Sequence, residues 1–408
     1  MDNDLALTSF KRLKDYCEEE HYKGWDPYDG LNSKVFQALP LLKKSAFFRE
    51  VMIQGFKRSP FNLRPLMQVP KEHNAKGIGL FLQGYCNLIK TVRQCPELTS
   101  SLGSEETLLA KVSEVADLLV SMQSQGNYHG ACWGYNFDWQ ARGGLFFPKY
   151  TPTVVATNFC ATALIEAYEI TGQSQYLDVA LTSADFVMKD LHRHNMDDGS
   201  FLFSYSPLNG NDTVFNASLL GSRLLSYCYK YTGREELREA ARQSVKACVK
   251  GQSEDGSWVY GLLPIQKWVD SFHTGYNLDG LIAFEELTGD NLAHEAIEKG
   301  LRFYVEHFFE PDGTPKYYYN QTYPIDIHCP GQLMVTLSRL HKFEEHSELA
   351  EKVMDWTIHY MQDEYGYFYY QVKKGISSKI SYMRWSNAFM FYAMSYYLLE
   401  TEDHQNHA

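Results

Sequence analysis

The chain contains the stretch ATALIEAYEITGQSQYLDVALTSADFVMKDL, residues 161–191, which reads as two helices joined at Thr171-Gly172. The first helix is apolar around most of its circumference, whereas the second alternates charged and apolar residues at spacings of three and four. Glycine at the junction tolerates the positive φ that ends many helices. The stretch therefore predicts a buried inner helix followed by an outer helix with one face in water.

The same two-helix pattern recurs along the chain. Residues 221–251 and 279–308 carry Thr-Gly at the matching place, and residues 331–362 repeat the pattern without it. The Thr-Gly glycines are 61 and then 56 residues apart. Each copy predicts one hairpin of an inner and an outer helix.

Further helices complete the set at both ends. Residues 79–123 form another inner and outer pair, and residues 386–400 form a last inner helix. The outer partner of that last helix is expected near residues 34–56. Six inner helices that are apolar on most sides favour a closed ring, because an open array would expose a concave apolar face to water.

This pattern resembles the (α/α)6 toroid, the six-hairpin superfamily that includes many glycosidases, polysaccharide lyases and sugar epimerases. The resemblance covers about residues 77–400 at the level of period and pattern. It implies an all-α fold with short, aromatic, hairpin-like loops at one mouth of the ring. It also implies a toroid domain at residues 77–408, with residues 1–76 as a helical bracing segment that helps to close the ring.

Two short runs carry a second resemblance. FNLRPL (residues 61–66) and YPIDIH (residues 323–328) are similar to runs in uncharacterised toroid proteins found alongside glycan-assembly enzymes. That resemblance implies glycan-assembly enzymes as partners and implies no reaction. The four residues Trp25, Asp26, Tyr28 and Asp29 are expected to brace the outer ring, the alternative being that they fold over the mouth.

Composition limits the partners. The formal net charge is -12 and the pI about 5.6, with no lysine or arginine run that could neutralise a phosphate backbone, so nucleic acid and anionic membrane surfaces are not expected partners. The N-terminus lacks a secretory signal, and no apolar run reaches the ~18 residues of a transmembrane segment, so we expect a cytoplasmic protein. The eight cysteines form no Cys-x-x-Cys pair, and neither a metal site nor a cofactor is predicted.

The connections from each outer helix to the next inner helix emerge at one end of such a ring. Five of them combine aromatic, acidic and amide side chains, which is the usual lining of a saccharide site. The substrate is therefore predicted to be a saccharide or glycoconjugate. The predicted substrate-binding residues are Trp133, Tyr135, Trp139, Arg142, Tyr205, Trp268, Tyr323, Arg384 and Trp385.

The loop DSFHTGYN, residues 270–277, holds the first catalytic candidates. Asp270, His273 and Tyr276 are spaced so that they share one helix face or line the loop before the helix. Asp270 is also a good helix N-cap, and this structural alternative stays open. Imidazole is the side chain best suited to general acid/base work near neutral pH.

Two further loops add candidates. If residues 325–328 are extended, Asp326 and His328 point to one side and the two isoleucines to the other. Asp138 is followed by Arg142, which either neutralises it or, like Arg384, offers a bidentate fork for a sugar carboxylate. The predicted catalytic residues are Asp138, Asp270, His273, Tyr276, Asp326 and His328.

The preferred hypothesis is a carbohydrate-active enzyme working by acid/base chemistry. Glycoside hydrolysis would use two of the carboxylates, whereas elimination or C5 epimerisation of a uronic acid would use histidine, tyrosine and arginine. One alternative is a terpenoid cyclase or prenyltransferase-like toroid with aromatic walls. Another is a scaffold of glycan assembly that has no catalytic activity.

Overall fold

The computed structural model describes residues 3–141 and 144–407, and side chains over residues 5–141 and 144–401. Its helices are α1 (Asn3–Glu19), α2 (Lys34–Gln37), α3 (Pro40–Lys44), α4 (Ala46–Arg58), α5 (Ala75–Gln94), α6 (Thr99–Leu102), α7 (Glu105–Ser121), α8 (Val154–Thr171), α9 (Ser174–Lys189), α10 (Phe215–Thr232), α11 (Glu235–Lys250), α12 (Ser271–Thr288), α13 (His294–His307), α14 (His328–Arg339), α15 (Ser347–Met361) and α16 (Phe389–His407). A π-helix, Met383–Ala388, leads into α16.

Short antiparallel strands lie in the connections between the helices. They are β1 (Trp139–Gln140), β2 (Phe146–Phe147), β3 (Arg193–Asn195), β4 (Phe201–Phe203), β5 (Ile325–Asp326), β6 (Tyr369–Val372) and β7 (Ser378–Ser381). Strand β1 pairs with β2, β3 pairs with β4, and β6 lies between β5 and β7.

Six inner helices form a closed ring. Helix α5 packs on α8, and α8, α10, α12, α14 and α16 follow in order until α16 returns to α5. Helices α7, α9, α11, α13 and α15 pack outside their inner partners. The fold is an (α/α)6 toroid, which confirms the predicted fold class.

The sixth outer helix is α1, which packs on α16. The expectation of a partner within residues 34–56 was therefore wrong. Helix α1 buries Ala6, Phe10 and Leu13 on one face and meets the ring there. Residues 34–56 instead pack around a separate small core of Leu31, Phe36 and Ile53.

The Thr-Gly turns end the inner helices as predicted. Gly172, Gly233 and Gly289 adopt φ values of 71°, 63° and 71° directly after the last helical residue. Each preceding threonine hydroxyl donates a hydrogen bond to the carbonyl four residues earlier. These turns are short, so the end of the ring opposite the mouth carries little loop structure.

The connection between α1 and α5, residues 20–74, lies at the mouth end of the ring. Arg64 of the FNLRPL run fixes it there, with Nε donating to Asp29 at 2.7 Å, Nη2 to the carbonyl of Asp26 at 2.6 Å and Nη1 to the Tyr382 hydroxyl at 2.9 Å. The buried Arg64 thus joins this segment to the start of the last hairpin. Within the described part of the chain, no helix is both long enough and apolar enough to cross a membrane.

Candidate active site

The connection from α1 to α5 also reaches Arg384. Asp26 accepts hydrogen bonds from Arg384 Nε at 2.5 Å and Nη2 at 2.8 Å, and both side chains are buried. Tyr28 contacts Trp139 and Trp385, with ring centroids 6.1 and 5.6 Å away. The segment that was expected to brace the outer ring therefore lies against the residues of the mouth.

Asp270 and His273 form a hydrogen-bonded pair at the start of α12. One carboxylate oxygen of Asp270 accepts the His273 backbone N–H at 3.0 Å and so caps the helix. The other lies 2.7 Å from His273 Nδ1 and accepts the Trp268 indole N–H at 2.8 Å. The His273 side chain keeps 20% of its surface exposed, and its Nε2 has no hydrogen-bond partner among the described residues. Asp270 is thus both a helix cap and the group that orients an accessible imidazole.

Asp326 and His328 are arranged differently. Asp326 is fully buried and accepts from the His328 backbone N–H, the Trp385 indole and the Gln371 amide, at 3.1, 2.9 and 2.7 Å. His328 Nδ1 lies 3.8 Å from that carboxylate and makes no hydrogen bond to a described residue. Its ring stacks on Phe389 at 4.0 Å between centroids. Burial lowers the pKa of His328 well below its usual value and raises the pKa of Asp326.

The expected extended piece is shorter than the sequence indicated. Only Ile325 and Asp326 are in a strand, and Ile327 is already helical at φ -60° and ψ -20°. The helix begins at His328, and the imidazole packs among the inner helices. Strict alternation in a strand would have placed it on the same side as Asp326.

Lys76 is a residue of the site that the sequence analysis missed. It lies in the first turn of α5, is 4% exposed, and donates from Nζ to the Tyr276 hydroxyl at 3.1 Å. Its ammonium group also lies 4.4 Å from the Phe159 ring centroid. Burial, and then the charge of Arg384, lower the pKa of Lys76 well below its usual value. No carboxylate of a described residue lies within 4.0 Å of Lys76, which leaves it as a buried amine without a counter-ion.

The Lys76–Tyr276 hydrogen bond crosses the ring. Helices α5 and α12 are three positions apart in the ring of six and face each other. Around this crossing lie Phe159, Phe272 and Phe389, each in ring contact with Tyr276. These aromatic groups and the lysine form the floor of the mouth.

The two histidines both contact one aromatic ring of this floor. Phe272 is 4.1 Å from His273 and 5.2 Å from His328, measured between ring centroids. His273 is 6.1 Å from the ring of Tyr276. The structure therefore brings His273, His328, Tyr276 and Lys76 into one cluster.

Four predicted substrate-binding residues form an aromatic wall above the floor. The hydroxyls of Tyr135 and Tyr205 form a hydrogen bond of 3.3 Å. The ring centroids of Trp139 and Tyr205 are 6.1 Å apart. Trp268 stacks on Tyr260 at 4.5 Å. All of these rings are partly exposed, so part of each ring is accessible to an apolar surface of a ligand.

Other predicted residues lie elsewhere. Trp133 has no exposed surface and donates its indole N–H to the carbonyl of Leu119, which places it in the core and not in the mouth. Asp138 accepts the backbone N–H of Lys149 at 2.8 Å and so stabilises its own hairpin. Tyr323 is 43% exposed and lines an outer groove with Trp356.

The arginines and Trp385 complete the set. Arg384 lies at the mouth, but Asp26 already occupies its guanidinium fork. Trp385 is buried, and its indole N–H holds Asp326. Arg142 lies outside the described residues. Over residues 3–141 and 144–407, no group of three or more His, Cys, Asp or Glu side chains is arranged to bind a metal ion.

No protein-family model and no curated protein matches the chain. Solved structures are similar to it in fold. Cellobiose 2-epimerase from Bacillus thermoamylovorans is 14% identical, with 80% of this chain and 90% of that chain covered and a TM-score of 0.57. A GH76 α-mannanase from Bacteroides thetaiotaomicron is 12% identical, with 82% and 87% covered and a TM-score of 0.58. An unsaturated glucuronyl hydrolase specific for heparin is 14% identical, with 80% and 87% covered and a TM-score of 0.55.

Proposed function

We propose that the protein is a carbohydrate-active enzyme that binds a saccharide in the aromatic mouth and transfers a proton at one of its carbons. The Asp270–His273 pair carries this proposal. A carboxylate on Nδ1 leaves Nε2 as the reacting nitrogen and stabilises the imidazolium that forms when Nε2 accepts a proton. The solved structures of similar fold include enzymes named as epimerases and hydrolases of saccharides, which supports the same class of substrate.

The carboxylates favour proton transfer over glycoside hydrolysis. Hydrolysis needs two carboxyl groups that face the scissile bond. Asp270 and Asp326 each accept three hydrogen bonds from the protein, and Asp138 is engaged in its hairpin. An imidazole is then the accessible base of the mouth.

The uncompensated Lys76 supports a saccharide that carries a carboxylate, as a uronic acid does. A buried ammonium without a counter-ion is costly, and a bound anion removes that cost. Arg384 is less suited to bind the substrate carboxylate, because Asp26 already neutralises its charge. Lys76 would also face the negative charge that develops when the carbon next to a carboxylate loses its proton.

The proposed reaction balances without a cofactor. His273 Nε2 takes the proton from the carbon next to the carboxylate, and the electron pair moves into the carboxylate as an enolate. Tyr276 then returns a proton to the opposite face and regains one from Lys76, which gives epimerisation. His273 releases its proton to solvent and Lys76 takes one up, which restores the enzyme. Alternatively, the electron pair expels the oxygen substituent on the neighbouring carbon, and Tyr276 donates its proton to the departing oxygen, which gives elimination with the same return of protons. A cytoplasmic location and contact with glycan-assembly enzymes belong to the same proposal.

The test is proton exchange in D2O, followed by NMR on oligosaccharides that contain glucuronic acid, with cellobiose as the neutral probe. We expect deuterium at C5 of the uronate, with an inverted C5 in epimerisation or an unsaturated product in elimination. His273→Ala should abolish the exchange. His341→Ala is the matched control, because His341 is 76% exposed at the turn opposite the mouth.

Two outcomes would contradict the proposal. New reducing ends without deuterium exchange would identify a hydrolase. Binding of a saccharide without any chemical change, and with equal affinity in His273→Ala, would identify a scaffold that has no catalytic activity.

A further inference from the structure

Exposed apolar side chains are concentrated in one N-terminal region. Among the described residues, seventeen large hydrophobic side chains are exposed, and nine of them lie within residues 35–66. Leu41 is 86% exposed and Phe47 is 68% exposed. The nine residues, here called the N-terminal patch, are Val35, Leu39, Leu41, Phe47, Phe48, Val51, Phe61, Leu63 and Leu66.

The N-terminal patch is also basic. Residues 34–66 contain seven lysines and arginines against one acidic residue, Glu50, in a chain of net charge -12. Lys34, Lys43, Lys44 and Arg58 are exposed, whereas Arg64 is buried. The charge of this region is therefore opposite in sign to that of the molecule as a whole.

A neighbouring turn extends the same surface. The turn between β6 and β7 carries Lys373, Lys374 and Ile376, and Ile376 is 68% exposed. Lys373 Nζ lies 3.5 Å from the carbonyl of Arg58, which places this turn beside the end of α4. Two separate parts of the chain thus present apolar and basic side chains next to each other.

The exposed apolar residues of α4 are separate from those that it packs into the small N-terminal core. Helix α4 buries Ile53 and Phe56 on its inner face and exposes Phe47, Phe48 and Val51. Isolated exposed hydrophobic side chains are ordinary on soluble proteins, but a concentration of this kind marks an interaction surface.

We propose that the protein docks by the N-terminal patch on an anionic lipid bilayer. Phenylalanine and leucine enter the boundary between headgroups and acyl chains, and flanking lysines and arginines pair with lipid phosphates. A protein partner fits less well, because protein interfaces are depleted in lysine. The net charge of the whole chain predicted that anionic membranes are not partners. That prediction differs from this proposal because a sum over the whole chain does not show the charge of one face.

Docking would hold the mouth beside the headgroups. Lys57 Nζ donates to the Tyr28 hydroxyl at 2.6 Å, and Arg49 Nε donates to Gln140 at 3.0 Å, so α4 is tied to the rim of the mouth. A saccharide carried on a membrane lipid would then reach the site. This last step rests on the proposed function, whereas the docking itself does not.

The experiment is flotation of the full chain with two kinds of vesicle, phosphatidylcholine alone and phosphatidylcholine with phosphatidylglycerol. We expect binding to the anionic vesicles that weakens with added salt. Lys43→Gln/Lys44→Gln should reduce the partition coefficient roughly thirtyfold, since each lysine near an anionic surface contributes about fivefold. Phe47→Ser/Phe48→Ser should reduce it by at least about tenfold.

Matched controls are Lys299→Gln/Lys352→Gln on the outer helices and Leu263→Ser/Ile265→Ser, which are also exposed. Circular dichroism verifies that each variant is folded. The proposal is overturned if the wild type does not float with anionic vesicles, or if patch and control variants bind alike. Loss of a dimer in Phe47→Ser/Phe48→Ser, seen by sedimentation without vesicle binding, would overturn it in favour of self-association. Proton exchange on soluble oligosaccharides is unaffected by these outcomes, so failure of docking and failure of the proposed activity are distinguishable.

Discussion

Two neighbouring loops of the ring each deliver an aspartate and a histidine, yet the two pairs differ in almost every physical respect. Asp270 holds His273 at 2.7 Å, and this imidazole remains partly exposed. Asp326 lies 3.8 Å from His328, whose Nδ1 has no hydrogen bond and whose ring is buried against Phe389.

The spacing along the chain explains the difference. Asp270 is the N-cap of its helix. A residue three positions after an N-cap places both its backbone N–H and its side chain within reach of the capping carboxylate, as His273 does here. Asp326 precedes its histidine by two positions and ends a strand, so its oxygens turn to Trp385 and Gln371. We infer that the first pair does the chemistry and that the second holds the mouth together.

The sharpest test of that contrast is His273→Ala. General acid/base groups contribute about 10²–10⁴-fold to rate, so kcat/KM for uronate exchange should fall by that factor. The melting temperature should change little, because the side chain is partly exposed. Exchange NMR and thermal melts measure both quantities, with His341→Ala alongside; an active His273→Ala enzyme would remove His273 from the mechanism.

The opposite result is expected at the second pair. His328→Ala opens a cavity beside Phe389 and should cost about 2–4 kcal/mol of unfolding free energy. His328→Phe keeps a ring in the stack and should recover most of that loss while retaining activity. Denaturant unfolding and exchange NMR measure these effects. If His328→Phe is stable but inactive, His328 takes part in the reaction and the contrast fails.

Asp270→Asn separates the two roles of Asp270. Asparagine is an equally good N-cap, so the cap is kept, but its amide nitrogen cannot accept from the Trp268 indole, and stability should fall by about 1–3 kcal/mol. The carboxylate charge that orients His273 is lost, so kcat should fall about 10- to 100-fold while KM changes little. Asp138→Asn is the matched control, and an unchanged kcat in Asp270→Asn would contradict a positioning role.

Lys76→Met tests the charge on the substrate. Hydrogen bonds to charged groups contribute about 1.5–3 kcal/mol, so the KM for the uronate should rise roughly 10- to 100-fold. Binding of a neutral saccharide should not weaken. Titration calorimetry with both probes gives the comparison, and equal losses for the two would show that Lys76 supports the floor without recognising an anion.

The smallest effect is in the pH dependence of stability. Because burial holds the pKa of His328 below its ordinary value, the unfolded chain binds more protons between the two values, and stability falls as pH drops through that window. The slope is at most about 1.4 kcal/mol per pH unit. His328→Phe should have a shallower acid slope in urea unfolding series, while the opposing contribution of Asp326, whose pKa is raised, stays in both proteins.

Local sequence patterns were sufficient to predict the ring of helices. They were not sufficient to predict the residues that form the floor of the mouth. Helix periodicity and the Thr-Gly turns report on contacts within a hairpin, which is why the inner and outer helices could be assigned. The pairs Asp26–Arg384 and Lys76–Tyr276 join residues 358 and 200 positions apart, and no periodicity links them. Lys76 carries one local signal, a charged residue in the first turn of an inner helix whose next charged residue is Lys90.

The same limit explains the outer helix that closes the ring. Helix α1 has an ordinary amphipathic pattern, and nothing in that pattern names α16 as its partner. The candidate site residues fared unevenly for a related reason. Tryptophan and aspartate in a loop satisfy core packing and hairpin geometry as readily as ligand binding, as Trp133 and Asp138 show.

The bond between Lys76 and Tyr276 also decides how a ligand can move. Because it crosses the axis of the ring, it closes the centre of the ring, and a polymer cannot thread through the molecule. A glycan chain would have to enter by one end and leave by the way it came. Under the proposed function, the fold is therefore suited to acting once on the terminal sugar of a chain, and unsuited to sliding along it.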